Sequence, residues 1–252
     1  MNFFRFVKSD FIKLKRTNML LIHFLAPAVG IAVFLGYYEY SSVNPISKVS
    51  NFLMVAAFIF PVLISVICSM VVDQEALAGN FQQMLNCEIK PLPFFSKLVV
   101  VNLMGVIAVL FLICGFGLGF IHILNKTTFG LSYYLCTALI LFSSSIFIYI
   151  LHIIISLKFG GIQSISVGAA EGLLSVLFDT GLGDGRWQFV PCTWGTRFLS
   201  AFNKFMLKET SSSKNISELH LAILLCITST IAIIVLGTIW FNHWEGRKIE
   251  SN

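Results

Sequence analysis

Residues 179–202 read DTGLGDGRWQFVPCTWGTRFLSAF, and this segment decides how the whole chain is read. It holds Trp187 and Trp194, two of the four tryptophans, with Pro191, Cys192 and the glycines Gly181, Gly183, Gly185 and Gly195. Asp179, Asp184, Arg186 and Arg197 place charge here, in a sequence that otherwise keeps charge at its edges. Gly and Pro at this density mark turns and broken backbone. Aromatics beside Arg and Asp are what a membrane–water boundary selects. The segment lies between two long apolar runs, too irregular for a spanning helix and too apolar for an ordinary solvated loop. It reads as a pair of short re-entrant or interfacial helices joined by a Gly-rich turn. Such backbone is tolerated at membrane depth only where protein or water satisfies its polar groups. Two roles are open to it: a structural cap on a helix bundle, or a surface that recognises substrate.

The surrounding composition fixes the class. Of 252 residues, 57% are hydrophobic and 12% charged, and the mean hydropathy is +0.87. Soluble domains carry roughly 25% charged residues. The apolar residues fall in blocks near the roughly 20 residues that cross a bilayer, centred on 19–38, 52–72, 98–124, 131–157, 162–178 and 219–241. The expected fold is all-α and membrane-integral, with six spans in one permease domain over 1–252. The run from Met19 reads as a span, not as a cleaved leader. The net charge of +5 does not indicate nucleic-acid binding, because five of the 17 Lys and Arg precede Thr17. The six cysteines form no metal or redox spacing. Four lie in apolar runs, and Cys87 and Cys192 are expected on opposite sides.

Residues 1–18 carry Phe3, Val7, Phe11 and Leu14 on a helical stripe, with Phe4 beside it. Arg5, Lys8, Lys13, Lys15 and Arg16 fill much of the remaining surface. A helix of that kind lies in the headgroup plane, and its charge holds it in the cytoplasm; a plain basic tail is the other reading. Residues 73–97 form the expected cytoplasmic coupling segment, with a short helix over 76–85 ended by Pro91 and Pro93. Glu75, Phe81, Met84, Leu85 and Glu88 are its candidate contacts with a soluble motor, against a reading as solvated connector. In the third span, Gly115 to Gly119 alternates small residues that favour close helix packing. His152 reads as a bundle histidine or a proton carrier. Glu171 is a carboxylate inside an apolar run, a functional hypothesis by default. Its other reading is a buried partner to a serine or histidine of another span. Residues 179–218 form the expected outer segment.

Six spans put both termini inside. The inside segments then hold ten Lys and Arg and the outside segments seven, five of those in the long 179–218 region. No P-loop, zinc-protease or serine-hydrolase motif occurs. No catalytic or metal site is expected, and energy must come from another subunit.

This order of parts resembles an ABC-2-type transporter permease. More narrowly, Glu171-Gly-Leu-Leu-Ser175, then Gly181-Leu-Gly-Asp-Gly185, Trp187 and Phe189-Val-Pro-Cys-Thr-Trp-Gly195, look like the lantibiotic-immunity permeases of Gram-positive bacteria, the MutG/MutE kind, with the G-type the nearer. The resemblance implies a multi-pass permease of the bacterial cell membrane, paired with a second, homologous permease subunit. It also implies a cytoplasmic ABC ATPase homodimer that binds the ATP and Mg, leaving no cofactor in this chain. The implied cargo is a lantibiotic, a cationic amphipathic peptide. Glu171, Asp179, Asp184, Trp187, Phe189 and Trp194 are its candidate contacts. The alternatives are an ABC-2 permease for another peptide, a lipid or a polysaccharide, and a motor-free protein that sequesters peptide.

Overall fold

The computed structural model describes residues 3–15, 19–209 and 213–247; Arg16 and Lys248 lie outside them. Among the described residues nine α-helices follow in order: α1 Phe3–Lys15, α2 Met19–Tyr40, α3 Pro45–Leu77, α4 Gln82–Leu85, α5 Pro91–His122, α6 Leu131–Lys158, α7 Gly161–Asp179, α8 Trp194–Met206 and α9 Ser213–Asn242. No strand occurs among the described residues. Six of these helices are long and apolar enough to cross a membrane: α2, α3, α5, α6, α7 and α9. The protein is an all-α membrane bundle.

Several helices run further than the apolar blocks alone suggest, for local reasons. The expected loop over 39–51 shrinks to four residues, because Pro45 starts α3 and the Asn44 side chain accepts from the Ile46 amide. A proline at the first helical position loses no hydrogen bond and arrives with the right φ. The same rule reverses the reading of Pro91, which begins α5 instead of ending a helix. The expected helix over 76–85 is split. α3 carries through Leu77, the chain turns through left-handed Asn80 and Phe81 at φ 47° and 64°, and one helical turn follows as α4. At about 1.5 Å per residue, α3 and α5 are each roughly 50 Å long, well beyond the ~30 Å of a bilayer core.

Close packing rests on small residues. α7 lies along α3, where a Cβ on Gly168 would fall inside the Ser65 side chain and 3.1 Å from the Pro61 carbonyl oxygen. One turn on, a Cβ on Gly172 would stand 3.2 Å from the Phe58 carbonyl oxygen. The Gly115–Gly119 stretch works in the same way. Gly115 and Gly119 admit Ile31 and Leu35 of α2, and Gly117 admits the Tyr134 ring of α6. Phe52 and Phe116 stack at 3.7 Å in the middle of this core.

The segment between α7 and α9 enters the bundle and leaves again. Three single turns of 3₁₀ helix, Gly181–Gly183, Trp187–Phe189 and Pro191–Thr193, form one arm, and α8 forms the other. A Cβ on Gly195 would lie 3.2 Å from Leu141 and 3.5 Å from Ser144, which sit 10 and 13 residues into α6. That is roughly 15–20 Å along the helix axis. The other end of α8 returns to the rim, where Asn203 accepts from the Tyr133 hydroxyl and donates to Ser50 Oγ at 3.2 Å.

Overpacking a tight interface costs about 1–3 kcal/mol. Gly168→Ala is therefore expected to lower the melting temperature of the purified protein in detergent. Gly36→Ala, where nothing lies within 4 Å, is expected to leave it unchanged or raise it, since alanine is the better helix former.

Candidate functional site

Polar chemistry gathers at three levels: the end carrying α1, the middle of the bundle, and the far end around α8.

At the α1 end, four charged side chains from three helices meet away from solvent. Glu75 of α3 accepts from Lys97 of α5 at 2.8 Å and from Lys13 of α1 at 2.6 Å. Lys97 also reaches Asp10 of α1 at 3.2 Å, and Ser96 Oγ donates to the other Asp10 oxygen at 2.5 Å. Lys13 donates to Gln83 of α4 at 2.8 Å, and Gln74 donates back to the Lys13 carbonyl at 3.1 Å. Two carboxylates and two ammoniums balance. Each is either well buried or, for Lys13, largely covered. The protein-facing stripe of α1 is therefore Phe6, Asp10 and Leu14; of the expected stripe, Leu14 is buried, while Phe3, Val7 and Phe11 are half-buried. Asp10, Lys97, Ser96 and Gln83 were not singled out from sequence. Asp10 is the one acid before Thr17, and that contrast was the available signal.

The coupling segment folds inward. Phe81 and Met84 are 1% and 2% exposed. Phe81 meets Trp244 edge-on at 5.1 Å, Trp244 stacks on Phe241 at 5.3 Å, and Phe241 on Phe94 at 5.3 Å. Leu85 is partly covered beside Gly246. Arg247 donates to the Ser156 carbonyl at 3.2 Å and to Asp73 at 3.3 Å, closing the segment against α3 and α6. Of the five candidate motor contacts, only Glu88 stands fully exposed, in a rim with Leu77, Asn80, Gln82, Asn86 and Ile89.

In the middle of the bundle, His152 of α6 is completely buried. Its Nδ1 pairs with Ser164 Oγ at 2.9 Å and its Nε2 with Glu171 Oε2 at 3.0 Å, both on α7. The intramembrane carboxylate is thus bonded to a histidine of a neighbouring span, whose other nitrogen is held in turn.

At the far end, the broken backbone is satisfied by protein. Ser175 Oγ donates to the Cys192 carbonyl at 2.6 Å, and Thr193 Oγ1 to the Trp187 carbonyl at 2.9 Å. The Trp194 indole donates to the Gln188 carbonyl at 2.9 Å. Arg197 caps α7, donating through Nε and Nη2 to the Phe178 carbonyl at 2.9 and 2.6 Å and to Thr180 at 3.0 Å. Its Nη2 also pairs with Asp184 at 3.1 Å. Trp194 and Trp187 are 1% and 5% exposed. Trp194 packs on Phe147, and Trp187 on Phe198, its indole donating to Glu218 at 3.1 Å. Phe189 points outward and is exposed.

Between this hairpin and α9 opens a cleft of about 800 Å³. Asp179, Asp184, Glu209 and Glu218 supply acidic groups, and Arg197, Lys204 and Lys208 basic ones. Trp187, Phe205, Ile216 and Leu219 supply apolar surface. Asp179, Asp184 and Trp187 thus share one cavity wall, while Glu171, Phe189 and Trp194 do not line it. No group of His, Cys, Asp and Glu among the described residues is placed to hold a metal.

Six spans with a re-entrant hairpin at one end and a charge-locked helix at the other define a multi-pass helical membrane protein. The family model described as ABC-2 family transporter protein matches residues 6–170, about two thirds of the chain. The chain belongs to that family, and is a membrane component of an ABC transporter that works with an ABC ATPase. No curated protein and no solved structure gives a match. The family match runs from within α1 to the residue before Glu171, so the hairpin and α9 lie beyond it.

Removing one partner of a buried ion pair costs about 3–5 kcal/mol. Glu75→Gln is therefore expected to lower thermal stability and to raise amide exchange in α1. Glu88→Gln, on the exposed rim, is expected to change neither.

Proposed function

We propose that the chain is the membrane-spanning permease subunit of an ATP-driven exporter that clears a lantibiotic from the membrane and so protects the cell that makes it. The observation that carries this reading is the far-end cleft, where four carboxylates are interleaved with Trp187, Phe205, Ile216 and Leu219. A cationic amphipathic peptide presents the complementary surface, and charge complementarity favours its approach and orientation. Arg197 is committed to the end of α7 and to Asp184, which reduces its opposition to a cationic guest. The resemblance of residues 171–197 to lantibiotic-immunity permeases supports the same cargo.

In this reading α1 and both termini face the cytoplasm, and the cleft faces outward. A homodimeric ABC ATPase binds ATP and Mg, and this chain contributes no catalytic group. The second permease subunit completes the membrane domain. The motor engages the exposed rim around Leu77, Glu88 and Ile89, because Phe81 and Met84 are spent on internal packing. Lys97 and Glu75 join the ends of α5 and α3, so the two helices move as one. α3 then carries the displacement along its length to Ser50, which is bonded to Asn203 of α8. Motion at the rim reaches the cleft through one rigid helix.

Lys204 and Lys208 favour a second reading, in which the cleft takes a zwitterionic amphipathic cargo such as a lipid.

Co-purification of a tagged copy from mild detergent is expected to bring down a P-loop ATPase and a second six-span protein. Recovery of the chain alone points to passive sequestration instead. The double variant Asp184→Ala with Phe205→Ala is expected to lower immunity in a producer strain roughly tenfold, as loss of an interface anchor does. Unchanged immunity with normal expression overturns the lantibiotic assignment and leaves membership of the ABC-2 family untouched.

A further inference from the structure

A second cavity, of about 510 Å³, lies at the far end between the α2–α3 turn and the end of α5. Its walls include Tyr38, Glu39, Asn44, Lys48, Ile123 and Lys126. Lys48 is the anomaly. It is 5% exposed, and its ammonium donates to the Tyr38 carbonyl at 2.6 Å and to the Ser41 carbonyl at 2.7 Å. An ammonium has three donors; two go to these carbonyls, and the Tyr38 ring stands 5.7 Å from the same ammonium. No carboxylate among the described residues reaches Lys48 within the 4.0 Å of an ion pair; Glu39 lines the same cavity beyond that distance. Lys97, also well buried, has two carboxylates. A buried charge without a counter-charge is costly, and an open cavity beside it provides room for one.

The other charged side chains on the wall are Lys126 and Glu39, and the carbonyl ends of α2 and α5 also border the cavity. Lys126 lies exposed on its wall, giving two cations against Glu39. The first turn of α3, from Pro45, also borders it, and the partial positive charge of a helix start favours an anion. Ile123 on its wall, and Tyr37 and Tyr40 flanking the wall residues Tyr38 and Glu39 in sequence, are exposed at the ends of apolar helices, the composition found at headgroup depth.

We infer that this cavity binds a phosphate-bearing anion, with the headgroup of an anionic phospholipid as its source. Lys48 supplies the buried contact and Lys126 the outer one. The site is separate from the cleft beside α8, and it does not depend on what that cleft carries.

Native mass spectrometry of the whole chain in mild detergent, titrated with phosphatidylglycerol, phosphatidylcholine or inorganic phosphate, tests the inference. Phosphatidylglycerol is expected to bind more tightly than phosphatidylcholine. Lys48→Gln is expected to weaken phosphatidylglycerol roughly tenfold or more, as loss of one side of a buried charge pair does. Lys126→Glu should weaken it too, whereas Lys208→Glu, in the other cleft, should not. Because Lys126 is on the surface, its variant decides the matter if Lys48→Gln fails to fold. Inorganic phosphate that matches phosphatidylglycerol and displaces it supports the anion site and assigns it a soluble ligand. Equal binding of the two lipids, or phosphatidylglycerol binding indifferent to Lys126→Glu, overturns the inference.

Discussion

A peptide group in hydrocarbon must find its hydrogen bond within the protein, and the region between α7 and α9 is built around that constraint. Three 3₁₀ turns leave carbonyls open at depths where a continuous helix would have closed them. Ser175, Thr193, Trp194 and Arg197 close them instead. Arg197 is central because a single guanidinium serves the last carbonyls of α7 and the Asp184 carboxylate. It lets α7 stop at Asp179, and the hairpin occupies the space beyond. Without that early stop there would be no cleft beside α9, because Asp179 and Thr180 form part of its wall.

The opposite end solves a different problem. There the chain must hold three helices, α1, α3 and α5, in one fixed arrangement. Apolar packing alone would hold α1, α3 and α5 together at least as well as four buried charges, since desolvation offsets much of what ion pairs gain. What the Asp10–Lys97–Glu75–Lys13 cluster adds is direction and register: each group has its place only when the three helices are correctly set. The His152–Glu171–Ser164 bonds do the same at mid-depth for α6 and α7, beside the glycines that bring α7 against α3. Small residues decide how near the helices lie, and polar pairs decide where they stop.

The bundle itself was legible in the sequence because hydrophobic blocks of spanning length have few other uses. The hairpin was legible because Gly, Pro and Trp rarely cluster between two spans without breaking the backbone. The family match stops before Glu171, short of the hairpin. The partnerships were harder to see. Lys97 and Asp10 look in sequence like the ordinary charges that border a span, and nothing local says that they meet across 87 residues. Trp187 and Trp194 read as interfacial rings, yet their indole nitrogens are spent on Glu218 and the Gln188 carbonyl inside the fold. Phe81 and Met84 read as a docking patch because their real neighbour, Trp244, lies some 160 residues on. A side chain's type constrains its surroundings; only the three-dimensional path supplies the partner.

The contact between Phe81 and Trp244 carries a consequence for biosynthesis. Segment 78–90 emerges from the ribosome after two spans, but the ring that packs on Phe81 and the guanidinium 6.0 Å from its ring centre belong to residues 244 and 247, which follow all six. Until those residues are made, Phe81 has no ring to pack against. Closure of the segment is thereby ordered in time: it waits for complete insertion of the membrane domain, and a chain stalled partway leaves Phe81 without its ring partner.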